Sequence, residues 1–371
     1  VAIRIVPDSL LSKRLLLDKV SQAEIAAAVV TIPVVLGMAL AGAGVWALVA
    51  GALLQPTIQG VAMFWFVRWW PGLRVGGKRL KEVLHFSLAT LGSKVSWAVY
   101  QQADNLVLGK VSGDVVLGFY SMAMSLATLP VNKISAVVNQ LASPLMAELQ
   151  TNREAMRATF LRGIRMVTSA TFPLCLGLML VAEDFVRVAL TDKWIPAVPV
   201  MQVLCLYAVI RSVAVLFPHV LWARYRANFL FAYTVALLAI MPLAFWAGAK
   251  WWGAMGVAAA WLVVYPIVMI WMAREALKEI DVSWKMLSTQ LWSPVAATIV
   301  MVGTVLIIRV SISSWGMASV GRLAVVSLAG AAAYSFALLR IGGPVVAEIK
   351  EVVGWVLRGD RAAFVCRSGV S

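Results

Sequence analysis

Two sets of polar side chains recur at steps of three and four residues within otherwise apolar sequence. Ser87, Thr90, Lys94, Trp97, Gln101 and Asp104 form the first set, and Ser121, Ser125, Thr128, Asn132, Ser135 and Asn139 the second. Such steps keep each set on one side of an α-helix. Their chemistry is recognition: the amides Gln101, Gln102, Asn132, Asn139 and Gln140 suit sugar hydroxyls, and serve equally to bond a neighbouring helix. Lys94, in the centre of the first stripe, and Arg211 add positive charge, and the planar fork of an arginine suits phosphate. Bond-making constellations are absent. There is no GxxxxGK[ST], no HExxH, no pair of carboxylates on a loop and no nucleophile with a supporting histidine. His85 and His219 are the only histidines, and Cys175, Cys205 and Cys366 have no metal or disulfide spacing, so neither a metal site nor a cofactor is expected. Cations on a polar face without a catalytic set point to moving an anionic solute rather than transforming one.

The elements that must carry these faces follow from composition. Of 371 residues, 62% are hydrophobic and 13% charged, and the mean hydropathy is +0.88. This exceeds what one soluble core can bury. The stretch 25–67 holds no Asp, Glu, Lys or Arg and suffices for two membrane spans. Apolar segments near 25–42, 45–67, 84–103, 117–139, 166–182, 197–222, 229–248, 253–273, 288–308 and 321–339 predict an all-α polytopic membrane protein of ten helices. A net charge of +15 would suggest nucleic acid in a soluble chain, but here the basic residues collect in alternate loops. Arg4 to Lys19, Arg68 to Lys81, Arg153 to Arg165, Arg224 and Arg226, Arg274 to Lys285, and the tail from Arg340 share one side. Only Lys110, Arg187, Lys193, Lys250, Arg309 and Arg322 fall on the other. The positive-inside rule makes the first side, with both chain ends, cytoplasmic.

Within that frame Lys94 lies near mid-membrane. Arg211 is fourteen residues into the sixth span, about 21 Å at helical rise. Ionisable groups at such depth are costly and mark functional sites. Lys133 lies off the second stripe by more than a quarter turn and reads as snorkelling, although Pro130 can shift the phase. Asp104 sits near the outer end of its stripe and reads either as an interfacial carboxylate or, with Lys94, Gln101, Asn132 and Asn139, as a substrate-binding candidate. Pro130, Pro173, Pro218, Pro242 and Pro266 fall inside spans, and Pro130 and Pro218 are the hinge candidates. The loop RWWPGLRVGGKRLKEVLH is the main internal boundary, with Trp69 and Trp70 as interfacial anchors. SKRLLLDKVSQAE reads as an amphipathic approach to the membrane or a basic loop, and VVAEIKEVVGWVLRG as a surface helix or a disordered tail. The chain begins at Val1 without a Met, and upstream sequence is expected.

Several segments then resemble a known family. FSLATLGSKVSWAVYQQADNLVLGKVSGDVVLGFYSMAMSLATLP, followed by VNKISAVVNQLASPLMAELQ, is similar to the polysaccharide transporters of the multidrug/oligosaccharidyl-lipid/polysaccharide superfamily, which include O-antigen flippases. WIPAVPVMQVLCLYAVIRSVAVLFPHVLWARYR and GAGVWALVAG resemble two further blocks, and the likeness covers most of 10–275. It departs at ARYR, where the family usually has a small residue and glycine before the basic one. The resemblance implies two six-helix lobes around a central cavity. In this chain 1–67 would end the first lobe, 68–83 form a cytoplasmic inter-lobe loop and 84–275 the second lobe. An additional helix pair would follow at 276–341 and a cytoplasmic tail at 342–371, with four helices upstream. It implies flipping of an undecaprenyl-pyrophosphate-linked oligosaccharide from the cytoplasmic to the periplasmic leaflet of a bacterial inner membrane, for lipopolysaccharide or exopolysaccharide synthesis. Its partners would be that lipid-linked oligosaccharide, membrane lipids and other polysaccharide assembly proteins, with no nucleic acid. No cofactor is implied, and a coupling ion, H+ or Na+, stays open. Lys133 matches the family's basic position after the proline. The competing readings are a multidrug exporter of the same superfamily, which calls for intramembrane carboxylates, and a membrane-bound glycan polymerase or transferase, which calls for a large outer loop.

Overall fold

A computed structural model describes residues 7, 10, 11, 17–67, 95, 96, 98–312, 319–343 and 345–348. It is an all-α polytopic membrane protein: eight described helices are long and apolar enough to cross a membrane. The chain divides into two compact units, Val1–His85 and Phe86–Ser371.

In the first unit, α1 (Leu17–Leu40) and α2 (Val45–Val67) form a hairpin. Asp18 stands in the first turn of α1, where its charge complements the helix dipole, so the helix begins well before the apolar run at 25. Trp69, Trp70 and the loop around them lie outside the described residues.

The second unit is a bundle. Its first described helix, α3 (98–112), is followed after one residue by α4 (Asp114–Glu148). Sequence suggested a longer glycine-bearing link here. Only Gly113, at φ 81°, makes the turn. Gly109 stays helical and serves packing instead, because a Cβ there would press on the Leu117 side chain. Next come α5 (Arg153–Leu180), α6 (Ala182–Ala189), α7 (Val198–Ala214) and α8 (Phe217–Ala223). Asn152 starts α5 by accepting a 3.0 Å bond from the Ala155 amide. This helix begins thirteen residues before the predicted span, so Arg153, Arg157, Arg162 and Arg165 lie on a helix that projects past its apolar part and not in a loop. The sixth span also differs from expectation. It breaks at 215–216, and Pro218 opens α8 in its first turn, where a missing amide hydrogen costs nothing. Pro130, by contrast, lies within continuous α4.

α9 (Ala227–Glu279) is two spans joined at Trp252 and Gly253, whose φ of 56° turns the chain back. This is the division expected between 248 and 253. The two arms approach at Gly248 and Gly256, where a Cβ on either would overlap the other's backbone carbonyl. Gly256→Ala must therefore separate two backbones rather than move a side chain. It should cost about 1–3 kcal/mol, read as a lowered melting temperature of the purified protein; an unchanged melting temperature would disprove this close crossing.

α10 (Trp284–Ile312) and α11 (Ser319–Ile341) pack on each other, and α10 packs on α5. The main core gathers Tyr120, Phe160, Met201, Leu204, Phe217 and Phe245, all essentially inaccessible. At one end of the bundle Arg153 pairs with Asp281 at 3.3 Å and Arg226 with Glu279 at 2.7 Å, while Arg165 bonds Gln290 at 2.6 Å and pairs with Glu348. These are residues that the charge alternation places on one side. Arg187 pairs with Glu183 and Asp192, and Arg322 with Asp184, among residues assigned to the other. The helical start of the tail, 345–348, is held by Glu348 and by fully buried Val345.

Candidate functional site

α4 carries the second polar stripe only partly on its surface: Thr128 is buried, and Ser121 and Ser135 are half-buried. Ser125, Asn132, Asn139 and Ser143 are all exposed, fall within about 40° of one another at 100° per residue and extend about 27 Å along the helix. Leu129 and Ala136 are the apolar members of this face. A helix face turned to lipid would be apolar, because each unmet hydroxyl or amide costs free energy there. Thr128 and Asn132 bond each other at 3.2 Å, and Thr128 returns a bond to the Met124 carbonyl.

Toward the arginine-rich end the strip recruits a residue that periodicity did not supply. His219, half-buried on α8, spans Asn139 and Ser143, with 2.9 Å contacts to both. The Asn139 carbonyl oxygen only accepts, so His219 Nε2 carries the hydrogen and the Ser143 hydroxyl donates to Nδ1. The partners are 80 and 76 positions apart in sequence. Asn139 and Ser143 stand one helical turn apart, the spacing that lets one ring bridge both.

Arg211 lies half-buried in the last turn of α7. One turn before it, Ala208 packs with Val131 of α4 and Cys175 of α5. No described residue bonds or ion-pairs with Arg211, but the phenols of Tyr100, Tyr207 and Tyr265 lie within its electrostatic reach. Beside it is an aromatic cluster: Trp261 is 4.7 Å from Tyr207, 5.0 Å from Phe245 and 5.9 Å from both Tyr100 and Tyr265, ring centre to ring centre. These rings are buried. They form packed wall, not an open platform for a sugar.

The first stripe divides. Ser87, Thr90, Lys94 and Trp97 lie outside the described residues. Gln101 is exposed, whereas Asp104 is only 2% exposed and turns into the bundle. It accepts from the Tyr120 hydroxyl at 2.7 Å and the Trp261 indole at 3.3 Å, and from the Asn105 amide at 2.8 Å. The interfacial position expected for it gives way to burial, because α4 and α9 supply donors that its own helix cannot reveal. Lys133 is exposed on α4, away from the strip's centre line. No cluster of metal-ligating side chains occurs among the described residues.

A membrane-spanning helical bundle with a polar strip, and a half-buried arginine without an ion-pair partner among the described residues, defines a class of integral membrane protein. Within that class, residues 1–199 match the family described as polysaccharide biosynthesis protein, and the chain belongs to that family. It is 29% identical over 231 residues to the lipopolysaccharide biosynthesis protein WzxC of Escherichia coli (strain K12), covering 59% of this chain and 47% of the relative. It is 25% identical over 301 residues to the teichuronic acid biosynthesis protein TuaB of Bacillus subtilis (strain 168), covering 79% and 61%. With the succinoglycan biosynthesis transport protein ExoT of Rhizobium meliloti (strain 1021) it shares 24% over 169 residues, covering 46% and 34%. The chain thus spans about half the length of the curated relatives it matches.

Proposed function

We propose that this chain is part of a flippase that carries an undecaprenyl-pyrophosphate-linked oligosaccharide from the cytoplasmic to the periplasmic leaflet of a bacterial inner membrane. The observation that carries this reading is the exposed polar strip of α4, from Ser125 to Ser143, in a chain whose other surfaces are largely apolar. Its amides and hydroxyls match a glycan's own donors and acceptors, and Arg211 offers a counter-charge for phosphate or acidic sugars. The relatives' names add support: they concern several different polysaccharides, and one of them calls its protein a transport protein. Moving the substrate, without transforming it, is the role assigned. Residues 84–275 are assigned to the second lobe, with 276–341 as an added helix pair and both ends of the chain cytoplasmic. Lys94 and Lys133 remain assigned to substrate binding with Arg211, Gln101, Asn132 and Asn139, and Pro130 and Pro218 to bending.

A drug exporter of the same superfamily would place carboxylates on the path to hold organic cations. The α4 strip has none, and the charge that α7 adds, Arg211, is positive. The test is the double substitution Asn132→Leu and Asn139→Leu in the full-length protein, with translocation of lipid-linked oligosaccharide followed in vesicles. Two lost hydrogen-bonding positions predict a fall of about tenfold or more at unchanged membrane abundance. Wild-type translocation by this variant would remove the strip from the path.

A further inference from the structure

Arg309, in the last turn of α10, is a half-buried cation with no carboxylate partner among the described residues. It donates to the carbonyl of Leu180, the last residue of α5. Among the described residues, Asp184 pairs with Arg322, and Glu183 and Asp192 pair with Arg187. A guanidinium has five N–H donors, so most of those on Arg309 remain unused. Arg309 also borders a cleft of about 250 Å³ lined by Met179, Leu180, Gln202, Val203 and Leu206. Gln202 donates to the Met179 carbonyl at 3.3 Å, which leaves its own side-chain oxygen free to accept. Leu206, at 37% exposure, opens the cleft to the surroundings.

A cation in an apolar cleft with no counter-ion among the described residues favours binding an anion there. Its place at the ends of α5 and α10 is the depth at which lipid phosphates lie. We propose that this cleft binds one anionic phospholipid, with the phosphate on Arg309, a headgroup hydroxyl on the Gln202 side-chain oxygen, and an acyl chain along Val203 and Leu206. The occupant is a resident lipid and not the transported one, since none of the lining residues belongs to the α4 strip. Because it joins the ends of α5, α7 and α10, the lipid fastens the last helix pair to the bundle. The proposal stands whether or not the chain is a flippase.

The test uses the purified, delipidated chain in neutral detergent with added phosphatidylglycerol or phosphatidylcholine, reading melting temperature and lipid retained in native mass spectrometry. Phosphatidylglycerol should raise the melting temperature by about 5 °C at saturating lipid and be retained, with phosphatidylcholine doing neither. Arg309→Gln should abolish the difference. Because this variant also loses the bond to Leu180, Leu206→Trp, which fills the cleft and leaves that bond intact, should abolish it too. Arg340→Gln, packed instead over Phe336, should keep it. Equal effects of the two lipids on the native chain, or a phosphatidylglycerol preference that survives both cleft variants, would overturn the proposal. So would displacement of phosphatidylglycerol by undecaprenyl phosphate, which would make the cleft part of the substrate path.

Discussion

On the proposed function, Arg211→Ala in the full-length protein should slow translocation of lipid-linked oligosaccharide by roughly 10- to 100-fold while leaving the melting temperature nearly unchanged. The first half of this expectation comes from the strength of a charge-assisted hydrogen bond, about 1.5–3 kcal/mol once an anion is seated. The second half comes from the structure. Breaking a buried ion pair strands the remaining charge and destabilises a fold, but Arg211 has no ion-paired or hydrogen-bonded partner among the described residues to strand. Its half-buried guanidinium lies within electrostatic reach of the phenols of Tyr207 and Tyr265, which are neutral groups. A loss of transport at normal stability would therefore report on substrate and not on folding. Arg211→Lys should retain more activity than the alanine variant, since it keeps the charge and loses the bidentate fork. The measurement is initial rate in vesicles together with thermal unfolding of the purified variant. Full activity in Arg211→Ala would exclude this residue from the path, whereas a collapse in stability would show it to be a structural cation.

Much of this arrangement was legible in the sequence, and the failures have physical causes. Hydropathy located every described span, since a membrane demands about 20 apolar residues whatever the fold. It misjudged their ends, because the helices of α4 and α5 run on through polar turns that no lipid requirement governs. Periodicity placed Ser125, Asn132 and Asn139 on one face, and they share one. The same rule put Gln101 and Asp104 together, yet one is exposed and the other buried. Spacing along a helix fixes which side a residue takes, but only the neighbouring helices decide whether that side is covered. His219 was missed for the same reason: its partners are on another helix, and its own surroundings are apolar. The departure at ARYR was visible and has a structural counterpart. Tyr225 adopts φ 58°, a conformation glycine reaches freely, and its hydroxyl donates to the Gln150 side-chain oxygen at 2.9 Å. On either side of it, Arg224 reaches the Gln150 carbonyl and Glu279, and Arg226 reaches Glu279 and Glu275. The local cost of a tyrosine in that turn, about 1 kcal/mol, is set against one bond that a glycine could not make, the hydroxyl to Gln150.

Asp104→Ala should destabilise the protein by about 2–4 kcal/mol, and Asp104→Asn by less than half as much. Three helices meet at this carboxylate: α3 carries it, α4 brings Tyr120 and the second arm of α9 brings Trp261. Tyr120 also accepts from the Trp261 indole at 3.0 Å, so two buried donors share two acceptors. In the alanine variant the indole keeps the tyrosine oxygen, but the Tyr120 hydroxyl hydrogen has no acceptor left in a fully enclosed site. An orphaned buried donor costs about 1–3 kcal/mol, and the lost bond to a charged acceptor adds to this. Asparagine is nearly the same size and still presents one oxygen to Tyr120, which limits its cost to the weaker, neutral bond. Tyr120→Phe should fall between the two, because it removes a donor along with its need for an acceptor, while Trp261 can still reach Asp104. Thermal unfolding of the three variants in one detergent checks the order. If Asp104→Ala melts with the native chain, the carboxylate does not fasten α3 to α4 and α9, and its burial must serve transport instead. If the predicted order holds, any transport defect of Asp104→Ala scales with its lost stability, and Asp104→Asn transports close to normally.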